Sequence, residues 1–450
     1  MFVVAAWLIS SSVAFASGPR LVKGPYMTEL DDHDVTVRFQ LEGAASAAVH
    51  VARDDGKGDA KTVASKSVSG VQVARMTGLE PAVRYVYDVR VGAATIGAGR
   101  FSTGRAGDAS TPSTFLVYGD NRTDDAAHAA VVQAMTAVPS DFIVQTGDMV
   151  ADGGNEAEWQ RFFDIERPLL ADHPIFSAIG NHELVDDRAG AAFARYFAAV
   201  DAAAGRVPPP YSTTRIGNVR LFLLNTVENW QGDERDWLER ELARSDAEGE
   251  GVWRIAVMHH GPWAAGPHGP NQELLDAHVP ELLAAHKIDL VLSGHDHIYE
   301  RGAAVLKYIV SGGGGAPLYP VHPTATTRKV EAAHHFVTVS AGADALRVVA
   351  IRVDGSVIER CGFERGGPWD CDAAPSTNAG DSGGVGPLVD AAPPRAAAPP
   401  PANPPAAPSP RCTVTAPGTR TSPFGVFVGL AAVAFAAARR RASAWSSRRS

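Results

Sequence analysis

Between residues 113 and 310 the chain repeats one local pattern: a short apolar run followed within three residues by glycine, asparagine or histidine. The runs are 115–117, 142–144, 175–179, 219–224, 255–258, 288–292 and 308–310. Their length and β-branched content fit buried strands. Helical periods fill several of the intervals, at 124–138, 233–244 and 271–286. Buried strands alternating with helices specify a layered α/β domain. Open α/β sheets take their ligands beyond the carboxyl ends of the strands, and that is where the polar residues stand.

Read in order, those ends are Gly119-Asp120-Asn121-Arg122, Gly147-Asp148, Gly180-Asn181-His182-Glu183, Met258-His259-His260-Gly261-Pro262 and Gly294-His295-Asp296-His297. Carboxylate and amide oxygens mixed with imidazole nitrogens suit Zn, Mn or Fe rather than a thiolate-loving ion. The donors outnumber what one tetrahedral ion takes, so two ions sharing a bridge is the economical reading. A lone Gly-Asp is a turn, and a lone histidine is usually a hydrogen-bonded structural residue. The ordered set is what carries the metal expectation.

Composition narrows the alternatives. The apolar fraction is 45% and the charged fraction 20%, so the chain is neither wholly disordered nor a polytopic membrane protein. A net charge of −9 leaves no basic field for nucleic-acid binding as the main role. Three cysteines are too few for a disulfide scaffold or a cysteine-rich zinc module. Ahead of the α/β pattern, residues 18–105 alternate polar and apolar residues at 35–39, 48–51 and 85–89, with Gly-rich turns between, which predicts an antiparallel β-sandwich.

The ends read as addresses. Residues 1–16 are apolar and finish in Ala14-Phe15-Ala16, the form of a secretory signal peptide. No Lys or Arg precedes the apolar core, so either the start lies upstream or the signal is atypical. Residues 373–410 hold 11 of the 31 prolines and predict a stiff spacer. In 411–450, Cys412 is followed by the uncharged stretch 424–438 and by Arg439-Arg440-Arg441. That stretch falls short of the ~20 residues a spanning helix needs. Its order resembles the MYXO-CTERM class of surface-sorting signals, which implies processing near Cys412 and retention at the cell surface or envelope. A weak stop-transfer anchor is the alternative. Either way the folded part is expected outside the cytoplasm, with membrane or envelope association through the tail. In that oxidising space Cys361 and Cys371 are expected to form a disulfide rather than remain free thiols.

The strand-end set resembles the calcineurin-like metallophosphoesterase superfamily. The segment Gly294-His295-Asp296-His297-Ile298-Tyr299-Glu300-Arg301 is similar to its purple acid phosphatase branch. So are Gly24-Pro25-Tyr26, Gly78-Leu79-Glu80-Pro81 and Arg100-Phe101-Ser102-Thr103, which resemble that branch's N-terminal fibronectin III-like domain, and the glycine run 312–315. The resemblance implies an α/β fold class with an N-terminal β-sandwich at 18–105 followed by a layered α/β metallophosphoesterase domain at 113–372. It implies two divalent or trivalent ions (Fe, Mn or Zn) bridged by Asp148. Asn181, His259 and His295 complete one set of ligands, and Asp120 and His297 belong to the other. His182 faces a phosphate ester substrate and protonates the leaving oxygen or stabilises its charge, His268 is a further phosphate contact, and His259 rather than His260 is the ligand.

Two positions depart from the pattern. The superfamily commonly has histidine where Arg122 stands, and purple acid phosphatases have a tyrosine ligand where Ala151 stands. Arg122 is expected to hold a phosphate oxygen in its guanidinium fork, with a salt bridge at the surface or behind the ligands as the alternative. The activity implied is phosphomonoester hydrolysis by a hydroxide that a dinuclear centre activates. A phosphodiesterase acting on nucleotides or lipids, or a catalytically impaired surface binding protein, are the alternatives.

Overall fold

The structure is a computed structural model that describes residues 20–43, 46–105, 111–199, 209–227, 230, 232–248 and 251–371. The apolar stretch 1–16, the spacer 373–410 and the tail 411–450 lie outside the described residues. Two four-stranded antiparallel sheets come first. One contains Arg20–Thr28, Val35–Glu42, Val71–Met76 and Lys66–Val68, and the other Lys61–Ala64, Ala47–Arg53, Arg84–Val91 and Ala94–Ser102. Their inward residues, among them Val35, Val37, Phe39, Val49, Val51, Tyr87 and Val89, are buried, which makes the pair a β-sandwich.

The sandwich packs on the following domain through polar contacts that burial makes specific. Tyr26 donates its hydroxyl to the Tyr196 carbonyl at 3.0 Å. Arg38, 1% exposed, donates to the same carbonyl at 3.2 Å and to the Ala198 carbonyl at 2.5 Å. Lys23 Nζ sits 2.5 Å from Glu156.

The α/β domain is built on two seven-stranded sheets, not one. The first contains Ile175–Ser177, Phe142–Gln145, Ser113–Tyr118, His335–Ala341, Ala345–Arg352, Val357–Glu364 and Asp370–Cys371, in that spatial order. Its first three strands run parallel and the rest antiparallel. The second contains Ser212–Ile216, Val219–Leu223, Trp253–Val257, Leu290–Ser293, Lys307–Ser311, Tyr299–Ala303 and Thr327–Glu331. Inner-face residues of both sheets, including Phe115, Val117, Val144, Ile255, Val257, Leu292 and Val337, share one apolar core. Strand residues one position away face outward onto helices. On the first sheet Leu116, Tyr118 and Ile143 meet Val131, Trp159 and Phe162, and on the second Phe222, Ala256 and Val291 meet Leu238, Leu242 and Leu283. The layers are therefore helix, sheet, sheet, helix.

Helices Asp125–Thr136 and Asp233–Ser245 lie where periodicity predicts them, and Asp124 caps the first by accepting the Ala126 and Ala127 N–H groups. The single helix expected at 271–286 is instead two, Gln272–Asp276 and Val279–Ala285. Pro280 is tolerated only in the first turn of a helix, so the helix restarts just before it, and His278 turns the chain at φ +54°. Cys361 and Cys371 form a disulfide across paired strands. Among the described residues no helix is long and apolar enough to cross a membrane.

Candidate metal centre

The parallel strands of both sheets end on the same side of the core, and their loops converge. Asp120, Asp148 and Asn181 follow strands of the first sheet. His259 and His295 follow strands of the second, and His297 precedes Tyr299–Ala303. Asp120, Asp148 and His295 hold φ values of +59°, +58° and +71°. This left-handed backbone costs non-glycine residues about 1–3 kcal/mol each and concentrates at functional sites. The glycines beside them let the loops close. Gly147 sits at φ +103°, and a Cβ there would fall 2.6 Å from His259 Nδ1. A Cβ on Gly294 would fall 2.5 Å from Asp120 Oδ2.

Asp148 lies at the centre and is fully buried. His259 Nε2 is 3.2 Å from its Oδ1, which also accepts the His182 N–H at 3.0 Å. Its Oδ2 accepts Arg122 Nε–H at 2.9 Å. Burial opposes its ionisation, yet His259 and Arg122 hold the carboxyl well below the usual carboxylate range. Asp120 is pushed the other way, by burial and by the Asp148 charge. Burial also works against a charge on His259, but Asp148 and Asp120 prevail and raise it to about 9. Its Nδ1 donates to the Thr146 carbonyl at 2.8 Å, which aims Nε2 at Asp148 and Asn181. The second ring proton therefore sits among oxygen atoms, on the atom a cation bound there would take.

The remaining donors fall on two sides of Asp148. On one side Asn181 Oδ1 lies 3.1 Å from His259 Nε2 and 3.1 Å from His260 Nε2. His295 Nδ1 is buried beside them without a hydrogen-bond partner. Among the described residues His259, His260 and His295 offer ligand atoms within 4.8 Å of one another. Burial and the neighbouring His259 push His260 down to about 3, so its ring is neutral and able to ligate. A buried imidazole nitrogen with no partner, in a ring packed against those of His259 and His260, fits a divalent ion.

On the other side Asp120 accepts the His295 N–H through Oδ1 at 3.1 Å and Oδ2 at 3.0 Å. His297 Nδ1 donates to the Pro317 carbonyl at 2.7 Å, its ring stacks on Tyr319 at 4.0 Å, and Nε2 faces Asp120 Oδ1 at 3.7 Å. Arg122 enters here. Its Nη2 is 3.5 Å from His297 Nε2 while its Nε is bonded to Asp148. The guanidinium expected to wait for a phosphate oxygen is thus engaged by two of the expected ligands.

His182 opens the short helix His182–Leu184, and its Nδ1 donates to the Ala151 carbonyl at 2.7 Å. His268 stands at the mouth, 43% exposed, with its ring 4.0 Å from that of His295 and its Nδ1 on Asp296 at 2.9 Å. The sequence assigns no role to Glu183 or Asp296 and prefers His259 to His260 as ligand. Glu183 accepts the N–H groups of Gly180, Asp148 and Met149 at 2.7, 2.9 and 2.8 Å and so fixes two ligand loops. Asp296 orients His268, and His260 joins the donors. Glu183 and Asp296 lie inside the quoted motifs, whose spacing was the available signal.

Residues 113–299 match the family Calcineurin-like phosphoesterase. With the two-sheet fold and the Asp148-centred donors, this chain carries a calcineurin-like metallophosphoesterase domain. Among its relatives are purple acid phosphatases. It is 29% identical over 173 residues to purple acid phosphatase 23 of Arabidopsis thaliana, covering 37% of this chain and 36% of that protein. It is 27% identical over 282 residues to purple acid phosphatase 3 of the same plant, covering 54% of this chain and 76% of that one. The chain thus spans about a third of the first relative's length and three quarters of the second's. The solved purple acid phosphatase PPD1 from yellow lupin (Lupinus luteus) seeds superposes with a TM-score of 0.64 at 18% identity, over 77% of this chain and 74% of that one. A structure of PhoD superposes at 0.61 and 12% identity, over 79% and 92%. These likenesses establish the fold, a β-sandwich followed by the α/β domain.

Proposed function

We propose that this chain is an extracytoplasmic, metal-dependent phosphoric ester hydrolase acting chiefly on phosphomonoesters. One observation carries the reading: donors from both sheets converge on the buried carboxylate of Asp148, with a half-buried histidine beside them. The two relatives described above are named purple acid phosphatases, which supports the same class. The Cys361–Cys371 disulfide and the apolar stretch 1–16 support action outside the cytoplasm. The tail 411–450 supports association with the envelope.

Asp148, Asn181, His259, His260 and His295 would hold a cation, and Asp120 and His297 flank it. Bound metal would supply Lewis acidity toward the phosphoryl oxygens and acidify a water. The chain's own residues do the rest. His182 has its Nδ1–H committed to the Ala151 carbonyl, so Nε2 is the ring atom left to carry a proton to the leaving oxygen. His268, held by Asp296 at the mouth, is positioned to donate to a phosphate oxygen. The burial of Asp148 and His259 keeps bulk water from screening the charges.

The test is to strip the purified chain with a chelator and assay a phosphomonoester and a phosphodiester before and after adding Mn, Zn or Fe. Metal-restored turnover with the monoester preferred is expected. Restored turnover that favours the diester selects the phosphodiesterase. Silence on both esters with every metal, from folded protein that binds metal, selects a binding protein.

A further inference from the structure

We propose that Arg122 takes the place of the first metal ion, so that the site holds one ion on the Asn181 side and a fixed guanidinium on the Asp120 side. This rests on the metallophosphoesterase reading and departs from the pair of ions that the family resemblance implies. Asp120, Asp148 and His259 also bring ligand atoms within 4.8 Å of one another, but on the Asp120 side the Arg122 guanidinium already stands against two of the expected ligands. Arg122 Nε–H is 2.9 Å from Asp148 Oδ2. His297 Nδ1 donates to Pro317, so its Nε2 is the acceptor, and it lies 3.5 Å from Arg122 Nη2. Both oxygens of Asp120 accept from the His295 backbone. The Arg122 side chain is only 14% exposed, so its charge is buried against these donors and not loosely solvated.

The two sides are also unequal in donors. Position 151 is alanine and brings no side-chain ligand, and beside it opens a cavity of about 150 Å³ lined by Arg122, Glu158 and Arg161 among others. A cation placed between Asp120 and His297 would meet a like charge within contact distance, in a buried setting where such repulsion is weakly screened. The Asn181 side has the opposite character. Three imidazoles cluster there, one with a buried nitrogen that has no partner, and no guanidinium intrudes. The donor set thus favours one tightly held ion, with Arg122 supplying the site's second positive charge.

The experiment counts ions. The full-length chain and its Arg122→His and Arg122→Ala variants are stripped with chelator, reloaded separately with Mn(II) and Zn(II), and measured by elemental analysis and titration calorimetry. Wild type is expected to hold one ion per chain. Arg122→His, which removes the charge and adds a donor, is expected to hold two. Arg122→Ala is expected to take a second ion more weakly, and it keeps the test open if the histidine variant fails to fold, with circular dichroism as the check. Two ions of similar affinity in wild type would overturn the proposal, as would one ion in all three proteins. Absence of hydrolysis with the ion count as expected would overturn the functional reading and leave this one standing. Hydrolysis with two ions in wild type would do the reverse.

Discussion

The Glu183 carboxylate accepts the backbone N–H of Asp148 at 2.9 Å, so a residue from one loop fixes the backbone of the central carboxylate in another. Glu183 is fully buried and binds three further N–H groups, on Gly180, Met149 and Val150. Burial and the nearby Asp148 charge push it up to about 7, and the N–H groups pull it back.

Removing that carboxylate is expected to harm fold and site together. Glu183→Ala leaves several buried donors without an acceptor, at about 1–3 kcal/mol each. Chemical denaturation should show a fall in stability of ~3 kcal/mol or more, accompanied by weaker metal binding. Unchanged stability would mean that the loops are held by other contacts.

For His182, the leaving group is the discriminating variable. A general acid matters most when the departing alkoxide is a poor leaving group. His182→Asn is expected to slow alkyl phosphate hydrolysis by roughly 100-fold or more, with a much smaller effect on a nitrophenyl ester. Equal losses on both esters would assign the residue to binding or positioning.

Asp148→Asn tests the centre of the site. With the charge removed, both metal binding and the partner of Arg122 are lost, and turnover is expected to drop by roughly 1,000-fold. A variant with wild-type rate would refute the Asp148-centred mechanism.

His335 gives the domain an acid-sensitive element away from the ligands. Its ring is fully buried, with Nδ1 donating to the Ala333 carbonyl at 2.8 Å and Nε2 facing Ser311 Oγ at 3.2 Å. Burial holds it down at about 4. A depressed value means the unfolded chain takes up the proton first. Its stabilising contribution is full above pH ~6.5 and is lost as pH falls toward 4, by about 3 kcal/mol in all. Denaturation of chelator-treated protein at pH 7 and 4.5 should show a smaller pH difference for His335→Gln than for wild type.

The Cys361–Cys371 disulfide closes a short loop next to the edge of the first sheet. Chain-entropy reasoning gives it ~3 kcal/mol. Cys361→Ser with Cys371→Ser should lower the melting temperature, and reductant should lower that of wild type while leaving the double variant unaffected.

Much of this was legible in the sequence because the site-bearing strands are local signals: an apolar run, a glycine, then a ligand. What was not legible is non-local. A strand–helix rhythm does not say whether the strands join one sheet or two, since that depends on which distant edges pair. His335–Ala341, Ala345–Arg352 and Val357–Glu364 pair antiparallel and mix buried with partly exposed positions, so they lack the rhythm of the preceding strands. The family resemblance favours His259 over His260 because the first of the two histidines ends the strand in related patterns. The chain bends at His259 and His260, and both rings reach Asn181. Arg122 was legible as a departure, but only its contacts with Asp148 and His297 show where the charge goes.

Because Asp120, Asp148 and Asn181 hang from one sheet and His259, His295 and His297 from the other, the site is a clasp across a greasy seam. Any slip of one sheet over the other changes the ligand geometry directly. The tuning knobs of this centre therefore include side chains that never see a metal or a substrate. A methyl group trimmed from Val257 or Leu292, deep in that seam, would alter the grip on the ion with every ligand left intact.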